Sequence, residues 1–561
     1  MTTRLLAAVA LALAIATPPL AGQRANAANE AVDHIFAKWT TATPGCAVGI
    51  SVDGQTALTK AYGMADLEHE VGNTPETIFE AGSVAKQFTA AAVLLLARDG
   101  KLSLDDAARK YIPELPEYNT PLTIRHMLNH TSGLRDWGSV AGIAGWPRTT
   151  RAYSHAHVLD IVSRQRALNF IPGSRWSYSN TGFNLAAVLV SRVSGMSFAE
   201  FSQQRIFGPL GMTRTSWRDD HRRIVKGRAV AYSEDGGAYR TLMPFESVHG
   251  NGGLLTTVGD LLTWNHNFST PVVGDAAFVR DQEAAGTFND GRAHGYALGL
   301  MVGKFKGVRT VEHSGSTAGY RAHLSRYPDE ELSVAVLCNG SNGNATAYAN
   351  AVADTYLGDR ARPPVEAAAA HVLTPEERAR VTGLYKSSLT GEAVNIVATD
   401  LGVRFERGTS FLPISATRFV SAGGDTWVVN GSTARLTDAY GSVESYEPTR
   451  AAVPTAAELQ ALAGVYSSAE AEITITVAVE NSELVIKRRP DATIRLTPLY
   501  SDAFSGQIGT VIFRRAAKRV TGLSVVQDRV WDLRFVREAD RARRQSSSLN
   551  RSPEIEAQAK R

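Results

Sequence analysis

Apolar residues recur at helical spacing in one stretch of the chain, directly after Ser83. They are Phe88, Ala91, Ala92, Leu95 and Leu96, and this spacing puts them on one face of a helix. Gly100 then supplies a stop signal. The pattern predicts a helix that begins at Ser83 and ends before Gly100. Lys86 follows one turn after Ser83 on the same face, because residues three apart are neighbours on a helix.

A serine and a lysine at this spacing favour nucleophilic chemistry. A serine hydroxyl is a poor nucleophile unless a base lies within hydrogen-bonding reach, and Lys86 is placed to be that base or to tune it. The partial positive charge of a helix N-terminus would lower the pKa of the lysine and leave backbone N–H groups free for an oxyanion. A chain this long contains roughly one or two S-x-x-K tetrads by chance, so the motif gains meaning only beside others.

Alternating apolar and polar positions predict strands at both ends of the N-terminal region. Residues 47–52 alternate into the turn Asp53-Gly54, and strand patterns return over 308–340. Cys46 opens the first of these runs and Cys338 closes the last, and the chain has no other cysteine. If the two strands are antiparallel neighbours, their ends lie side by side. We therefore hypothesise a Cys46–Cys338 disulfide, with two buried thiols as the alternative.

Two further polar motifs stand beside predicted helices and strands. Tyr178 and Asn180 come just before a helical pattern, where alternate residues of an extended segment face the same way. His313 and Gly315 lie at a strand edge, where a glycine lets a substrate approach the backbone closely.

His126 and His130 are four apart, a spacing that zinc-binding helices use, but no acidic residue stands between them as in H-E-x-x-H. Packing and turn hydrogen bonds are the favoured interpretation of this pair, and neither a metal nor an organic cofactor is implied.

The C-terminal third repeats itself after an Arg, Pro and Ala-rich linker at 359–373. The segments 374–385 and 454–466 resemble each other, and each is followed by short β runs. Two units of mostly antiparallel strands, 374–450 and 451–537, are small enough to close as barrels. Residues 538–561 are polar and charged, which predicts a disordered tail.

The N-terminus predicts export. Arg4 precedes an apolar run too short to span a bilayer, and A-N-A at 25–27 offers a cleavage site. Residues 1–27 are thus interpreted as a signal peptide of a periplasmic or secreted protein, with cleavage before Gly22 as the alternative. The 561 residues predict two or three domains. The 59 basic and 55 acidic residues nearly balance, so composition indicates no nucleic-acid or membrane partner, and no later segment approaches a membrane span.

Three motifs occur in one order: S-x-x-K at Ser83, Y-x-N at Tyr178 and H-x-G at His313. Over about residues 30–355 the chain resembles the class C β-lactamase and penicillin-binding-protein-like serine hydrolases. The resemblance implies an α/β (α+β) domain over 28–358, with a five-stranded antiparallel sheet flanked by helices.

The same resemblance implies a role for each motif residue. Ser83 would be the acylated nucleophile, and Lys86 with Tyr178 the proton-transfer pair, with the choice of base left open. Asn180 would hold the substrate carbonyl and steady Lys86. The N–H groups of Ser83 and Ser316, beside Gly315, would form the oxyanion hole, and His313 would belong to the catalytic set.

Specificity is expected from the third motif and from the barrels. His313 replaces the lysine of the K-T-G motif typical of β-lactamases, which weakens the case for that activity because histidine is mostly neutral at pH 7. A catalytic domain followed by lipocalin-like barrels resembles the D-aminopeptidase branch, in which an acidic residue on a loop of the second barrel meets the substrate's amino group. Asp502 is the candidate, since the first copy has Thr417 at the matching place.

We therefore expect an exported serine hydrolase that acts through an acyl-enzyme on small molecules or short peptides, with D-aminopeptidase as the favoured specificity. The alternatives are a carboxylesterase, a DD-carboxypeptidase or weak β-lactamase, and a penicillin-receptor-like protein that is acylated with negligible turnover. The sequence does not define the oligomeric state.

Overall fold

The structure, a computed structural model, describes residues 21–361 and 371–538 apart from Arg407 and Tyr440. Residues 1–20 of the predicted signal peptide, 362–370 of the predicted linker and 539–561 of the predicted tail lie outside the described residues.

A six-stranded antiparallel sheet forms the centre of the N-terminal region. Its strands, in spatial order, are Met301–Phe305, Val308–Thr317, Tyr320–Tyr327, Leu332–Cys338, Cys46–Val52 and Gln55–Tyr62. The expectation of five strands is one short, because Met301–Phe305 adds an edge strand. Lys306 and Gly307 both adopt positive φ, as a two-residue hairpin turn requires, and this turn folds the extra strand onto Val308–Thr317.

The two cysteines lie on neighbouring strands of this sheet. Cys46 is directly opposite Cys338 in the antiparallel register, with their Cα atoms 4.0 Å apart. They are joined by a disulfide. The bridge ties the first strand of the sheet to the last one in sequence.

Helices cover both faces of the sheet. On one face the serine helix, Lys86–Arg98, is buried along nearly its whole length and packs against Asn180–Ser194. On the other face Ala21–Phe36 packs against Ala345–Leu357. The remaining helices of this region are Ile124–Leu128, Trp137–Ile143, His155–Ser163, Phe198–Ser202, Gly208–Leu210, Val258–His266 and Ala276–Glu283, with a π-helical turn at Gln203–Phe207 and 3₁₀ turns at Gly82–Ala85, Ala108–Lys110, Pro328–Glu330 and Gly358–Arg360.

Short strands complete the region outside the main sheet. They are Met64–Asp66, Val71–Gly72, Phe79–Glu80, Ser216–Trp217, Tyr232–Asp235, Ala238–Thr241, Leu254–Thr256, Gly286–Thr287 and Ala293–His294. Among the described residues no single helix has the length and apolar composition to cross a bilayer; one bent pair, Asn180–Ser194 with Phe198–Leu210 at 82°, meets those criteria when taken together.

Two closed eight-stranded antiparallel barrels follow, as the repeat predicts. The first barrel comprises Gly383–Ser387, Ala393–Ala398, Val403–Phe405, Ser410–Pro413, Arg418–Ser421, Thr426–Asn430, Thr433–Thr437 and Val443–Pro448. The second barrel comprises Gly464–Ser468, Ile473–Glu480, Glu483–Arg488, Ala492–Tyr500, Ala503–Gly506, Gly509–Ala516, Arg519–Gln527 and Val530–Arg537. A short helix with a capping box precedes each barrel, at Pro375–Val381 and Ala456–Leu462.

The second barrel docks on the segment that leads into the helix Trp137–Ile143. Val140 and Ile143 of that helix belong to the apolar core of the barrel. Arg135 forms an ion pair with Glu470 at 3.1 Å, with the two side chains only 2% and 16% exposed. The N-terminal region and the second barrel therefore share buried apolar and charged contacts.

Candidate active site

Ser83 and Lys86 meet where a 3₁₀ turn becomes the serine helix. Ser83 lies in the turn Gly82–Ala85, and Lys86 is the first residue of the α-helix. The Lys86 side chain is fully buried and its Nζ donates to Ser83 Oγ at 3.0 Å, to Asn180 Oδ1 at 2.9 Å and to the carbonyl oxygen of Asn251 at 2.7 Å. Three acceptors thus fix the position of one amino group beside the serine.

Burial lowers the pKa of Lys86 well below its ordinary value, because the ammonium form loses its hydration. The guanidinium groups of Arg529 and Arg148 lower the pKa further, and the carboxylate of Asp136 opposes them. A neutral amine next to Ser83 is therefore accessible at a much lower pH than for a lysine in water.

Tyr178 lies against both Lys86 and Ser83. Lys86 Nζ is 4.8 Å from the centroid of the Tyr178 ring. Burial raises the pKa of Tyr178 above its ordinary value, and a hydrogen bond with Ser83 opposes that rise in part. The shifts of Lys86 and Tyr178 go in opposite directions, so the amine loses its proton more readily than the phenol.

The backbone around Ser83 packs tightly against the strand edge at Gly315. A Cβ atom on Gly315 would lie 2.0 Å from the carbonyl oxygen of Ala81 and 3.1 Å from the Ser83 nitrogen, and one on Gly82 would lie 2.6 Å from the Ser316 nitrogen. Side chains at these two positions would push the segments apart. The two glycines therefore let the N–H groups of Ser83 and Ser316 lie close together.

His313 is held inside the protein rather than aimed at Ser83. Its Nδ1 donates to the carbonyl oxygen of Ser314 at 2.6 Å, so its Nε2 accepts from the hydroxyl of Tyr296 at 2.9 Å. Burial lowers the pKa of His313 to about 3. The expected catalytic role fits this geometry poorly, because both ring nitrogens are engaged and the neutral ring is 1% exposed.

A cavity of about 790 Å³ opens over Ser83. Its wall combines the serine turn, Tyr178 and Asn180, the strand edge 313–317, the loop 341–346, and two residues of the second barrel, Asp528 and Arg529. No cluster of three or more His, Cys, Asp or Glu side chains suited to a metal ion occurs in the part of the chain that the structure describes.

The acidic residue at this cavity is Asp528, not Asp502. Asp502 forms a two-pronged ion pair with Arg515, with both contacts at 2.8 Å, and does not line the cavity. Asp528 and Arg529 form the turn between the last two strands of the second barrel, hereafter the barrel turn. The comparison of repeats selected the turn between Ala492–Tyr500 and Ala503–Gly506, which lies at the opposite end of the barrel from the barrel turn. The orientation of the barrel decides which end faces Ser83, so the prediction of Asp502 is wrong.

The barrel turn brings two opposite charges to the cavity. The side chain of Asp528 is 91% exposed, and its carboxylate lies 3.6 Å from the guanidinium of Arg529. The Arg529 guanidinium carbon is 4.6 Å from the ring centroid of Tyr178. The polar turn Q-D-R-V at 527–530 is the signal that sequence reasoning passed over.

The sequence analysis did not identify two other residues of the site, Asn251 and Asp136. Asn251 supplies a carbonyl acceptor to Lys86, and Asp136 accepts two hydrogen bonds from Asn180. Asn251 lies in the G-N-G-G turn and Asp136 in the segment L-R-D-W before a helix. Both stand in recognisable turns, but their contacts with the site come from the tertiary fold.

A family model described as Beta-lactamase matches residues 29–358. The chain belongs to the beta-lactamase family. This family region contains every element of the site except the barrel turn.

Two D-aminopeptidases are similar in sequence. The protein from Gluconobacter oxydans (strain 621H) is 30% identical over 311 residues, 55% of this chain and 58% of that protein. One from Brucella anthropi (strain ATCC 49188) is 29% identical over 303 residues, 54% of this chain and 57% of that protein. The matched part of the chain thus spans a little over half the length of these relatives.

Solved structures share the fold at low identity. The octameric penicillin-binding protein homologue from Pyrococcus abyssi has a TM-score of 0.54 and 21% identity, covering 84% of this chain and 99% of that one. The D-amino acid amidase from Ochrobactrum anthropi SV3, complexed with L-phenylalanine amide, has a TM-score of 0.51 and 20% identity, covering 60% of this chain and 99% of that one.

Proposed function

We propose that the protein is a serine hydrolase that cleaves small amides, peptides or esters through an acyl-enzyme on Ser83. The observation that carries this proposal is the buried Lys86 amine 3.0 Å from Ser83 Oγ. A serine in such contact with a desolvated amine has the partner that its activation requires.

Lys86 is the better candidate for the base. Neutral Lys86 takes the Ser83 proton as Oγ bonds to the carbonyl carbon of the substrate, and the N–H groups of Ser83 and Ser316 stabilise the oxyanion. The protonated phenol of Tyr178 then gives its proton to the leaving nitrogen or oxygen and regains one from Lys86. Water attacks the acyl-enzyme by the same route in reverse, which releases the acid and restores Ser83.

The substrate class that we favour is an amide or peptide with a free amino-terminal D-residue. The exposed carboxylate of Asp528 lies on the wall of the Ser83 cavity and has the charge to bind a substrate ammonium group. The similarity to D-aminopeptidases supports the same class. A carboxylesterase would use the same acyl-enzyme without needing Asp528.

A second candidate function is a DD-carboxypeptidase. It is favoured by Arg529, whose guanidinium faces the cavity and has the geometry to bind a substrate carboxylate in two-pronged fashion. The neutral His313 argues against it, because it supplies no fixed cation at the third motif.

Export belongs to this proposal. It rests on the leader-like residues 1–27, and the Cys46–Cys338 disulfide suits an oxidising compartment. An exported enzyme of this class would act on peptidoglycan-derived or environmental D-peptides.

The test uses purified protein with D-alanyl and L-alanyl p-nitroanilide, p-nitrophenyl butyrate and a D-alanyl-D-alanine peptide, with Ser83→Ala as the blank. We expect preference for the D-amide and its loss in the blank. Cleavage of the ester alone would identify a carboxylesterase, and release of the terminal D-alanine a carboxypeptidase. A burst of acylation without turnover would identify a receptor instead.

A further inference from the structure

The side chain of Asp136 accepts hydrogen bonds on two sides. It is 4% exposed. Its Oδ1 accepts from the backbone N–H of Ser139 at 3.1 Å and so caps the helix Trp137–Ile143. Its Oδ2 accepts from both the backbone N–H and the side-chain Nδ2 of Asn180, each at 2.9 Å. Three donors therefore converge on one buried carboxylate.

Only a carboxylate satisfies this arrangement. An asparagine caps a helix about as well as an aspartate, but it has a single acceptor oxygen. With asparagine at 136, an NH₂ group would face either Ser139 N–H or the two donors of Asn180. The pattern at Asp136 thus serves something beyond the helix cap.

The contact with Asp136 sets the orientation of the Asn180 amide. Because Nδ2 of Asn180 is held by Asp136, the oxygen at the other side of the amide faces Lys86 and accepts from Nζ at 2.9 Å. If the amide turned over, its NH₂ group would face the amino group of Lys86. The chain of contacts runs from Asp136 through Asn180 and Lys86 to Ser83.

Asp136 also touches the second barrel. Its backbone N–H donates to the carbonyl oxygen of Arg529 at 3.3 Å, and Val140 of the helix that it caps lies in the barrel core. The preceding residue, Arg135, forms the buried ion pair with Glu470. Asp136 therefore contacts Asn180 on one side and the barrel turn on the other.

We propose that Asp136 is a positioning residue: it fixes the Asn180 amide against Lys86 and holds this pair in register with the barrel turn. The inference rests on the proposed function, because it assigns a role within the same serine hydrolase centre. Asp136 does not itself contact the reacting atoms.

The test measures how fast diisopropyl fluorophosphate inactivates the protein as a function of pH, which requires no knowledge of the substrate. Ser83 Oγ bonds to phosphorus, fluoride leaves, and the serine proton passes to the base. In Asp136→Asn we expect the limiting rate to fall about 10- to 100-fold, as misplaced catalytic groups usually cost. The loss of a negative charge should also move the acidic limb of the profile to lower pH, since Asp136 favours protonated Lys86.

Asp275→Asn is the matched control. Asp275 caps the helix Ala276–Glu283 by accepting from Phe278 N–H at 2.9 Å, and it does not line the Ser83 cavity. We expect this variant to retain the wild-type inactivation rate and the wild-type position of the acidic limb of the pH profile. An Asp136→Asn profile that matches the wild type would overturn the proposal.

A structural readout keeps the inference separate from the proposed function. If Ser83 of the wild type does not react, the proposed function fails, and a crystal structure of Asp136→Asn still tests the positioning. We expect the Lys86 Nζ–Asn180 Oδ1 contact to be lost, while the melting temperature shows that the variant is folded. Retention of that contact at its present length would refute the role of Asp136.

Discussion

The two barrels have the same architecture but a different relation to Ser83. In both, the turn between the last two strands faces the catalytic region. The first barrel's turn contacts the N-terminal region, where Arg292 donates to the carbonyl oxygen of Gly441 and Arg175 to that of Val443. The second barrel's turn enters the cavity and places Asp528 and Arg529 on its wall. Two copies of one fold can thus share their strand order while only one of them places a turn in the cavity.

The difference extends to how each barrel is attached. The second barrel takes side chains of the helix Trp137–Ile143 into its core and receives the buried Arg135–Glu470 ion pair. The contacts of the first barrel named above are side-chain to backbone hydrogen bonds. We infer that the second barrel is energetically coupled to the catalytic region more strongly than the first.

Arg135→Met tests this coupling and should have the largest effect. Removing one partner of a buried ion pair leaves the other carboxylate uncompensated, so we expect the free energy of unfolding to fall by about 3 kcal/mol. Arg175→Met, the control at the first barrel, should cost about 1.5 kcal/mol, as for one hydrogen bond from a charged group. Urea denaturation measures both. Equal losses of unfolding free energy in the two variants would contradict the asymmetry between the barrels. If the double variant Arg135→Met/Glu470→Met recovers part of the lost free energy, the loss in Arg135→Met comes from the unpaired Glu470 carboxylate.

The position of Lys86 beside Ser83 was predictable because helical spacing is a local property. The Cys46–Cys338 disulfide joins residues far apart in the chain, and it was predicted only on the condition that two strand patterns are antiparallel neighbours, which they are. The contact between Asp136 and Asn180 joins residues far apart in the chain, and a sequence pattern shows only that Asp136 precedes a helix. Likewise His313 is engaged by Tyr296, a pairing that no motif spacing indicates.

Prediction from the sequence meets the same limit in the barrels. The repeat predicted two barrels, and the resemblance to the D-aminopeptidase branch implied that a loop of the second barrel reaches the site, but the comparison of the two copies selected Asp502. Which end of the second barrel faces the cavity depends on how the barrel docks through Arg135 and the helix Trp137–Ile143. Docking is a tertiary property that the repeat itself does not encode.

Asp528→Asn tests whether the entering turn confers specificity. A charged hydrogen bond is worth about 1.5–3 kcal/mol, so KM for D-alanyl p-nitroanilide should rise about 10- to 100-fold. Cleavage of p-nitrophenyl butyrate should stay within about twofold, since this ester has no ammonium group. Asp438→Asn is the matched control in the final turn of the first barrel, where Asp438 accepts from Ser442 N–H at 2.8 Å. A similar change in both variants would remove the functional distinction between the turns.

Arg529→Gln tests the electrostatic effect of the same turn. Arg529 lowers the pKa of Lys86, so removing its charge should raise that pKa. The acidic limb of kcat/KM should then move to higher pH, opposite in sign to the shift expected for Asp136→Asn. The backbone carbonyl that contacts Asp136 is retained. Arg534→Gln, at a side chain 67% exposed on the same barrel, should leave the limb in place, and equal shifts in both variants would rule out a local effect of Arg529.

Glu392→Gln concerns the first barrel and should have the smallest effect. Burial, with Glu444 and Asp528 nearby, raises the pKa of Glu392 to about 7. Because the folded state binds this proton more tightly than the unfolded state, the contribution of Glu392 to stability is present below about pH 4.5 and is lost as pH rises to about 7.

Glutamine does not titrate, so Glu392→Gln should be more stable than wild type by about 1–2 kcal/mol at pH 8, and the gain should disappear near pH 4.5. Glu447→Gln, at an exposed site on the strand Val443–Pro448 of the same barrel, should show neither effect in thermal melts at the two pH values. A pH-independent difference at Glu392 would point to packing instead. The predicted pattern would mean that burial inside the first barrel, with Glu444 and then Asp528 as smaller causes, keeps the pKa of Glu392 raised.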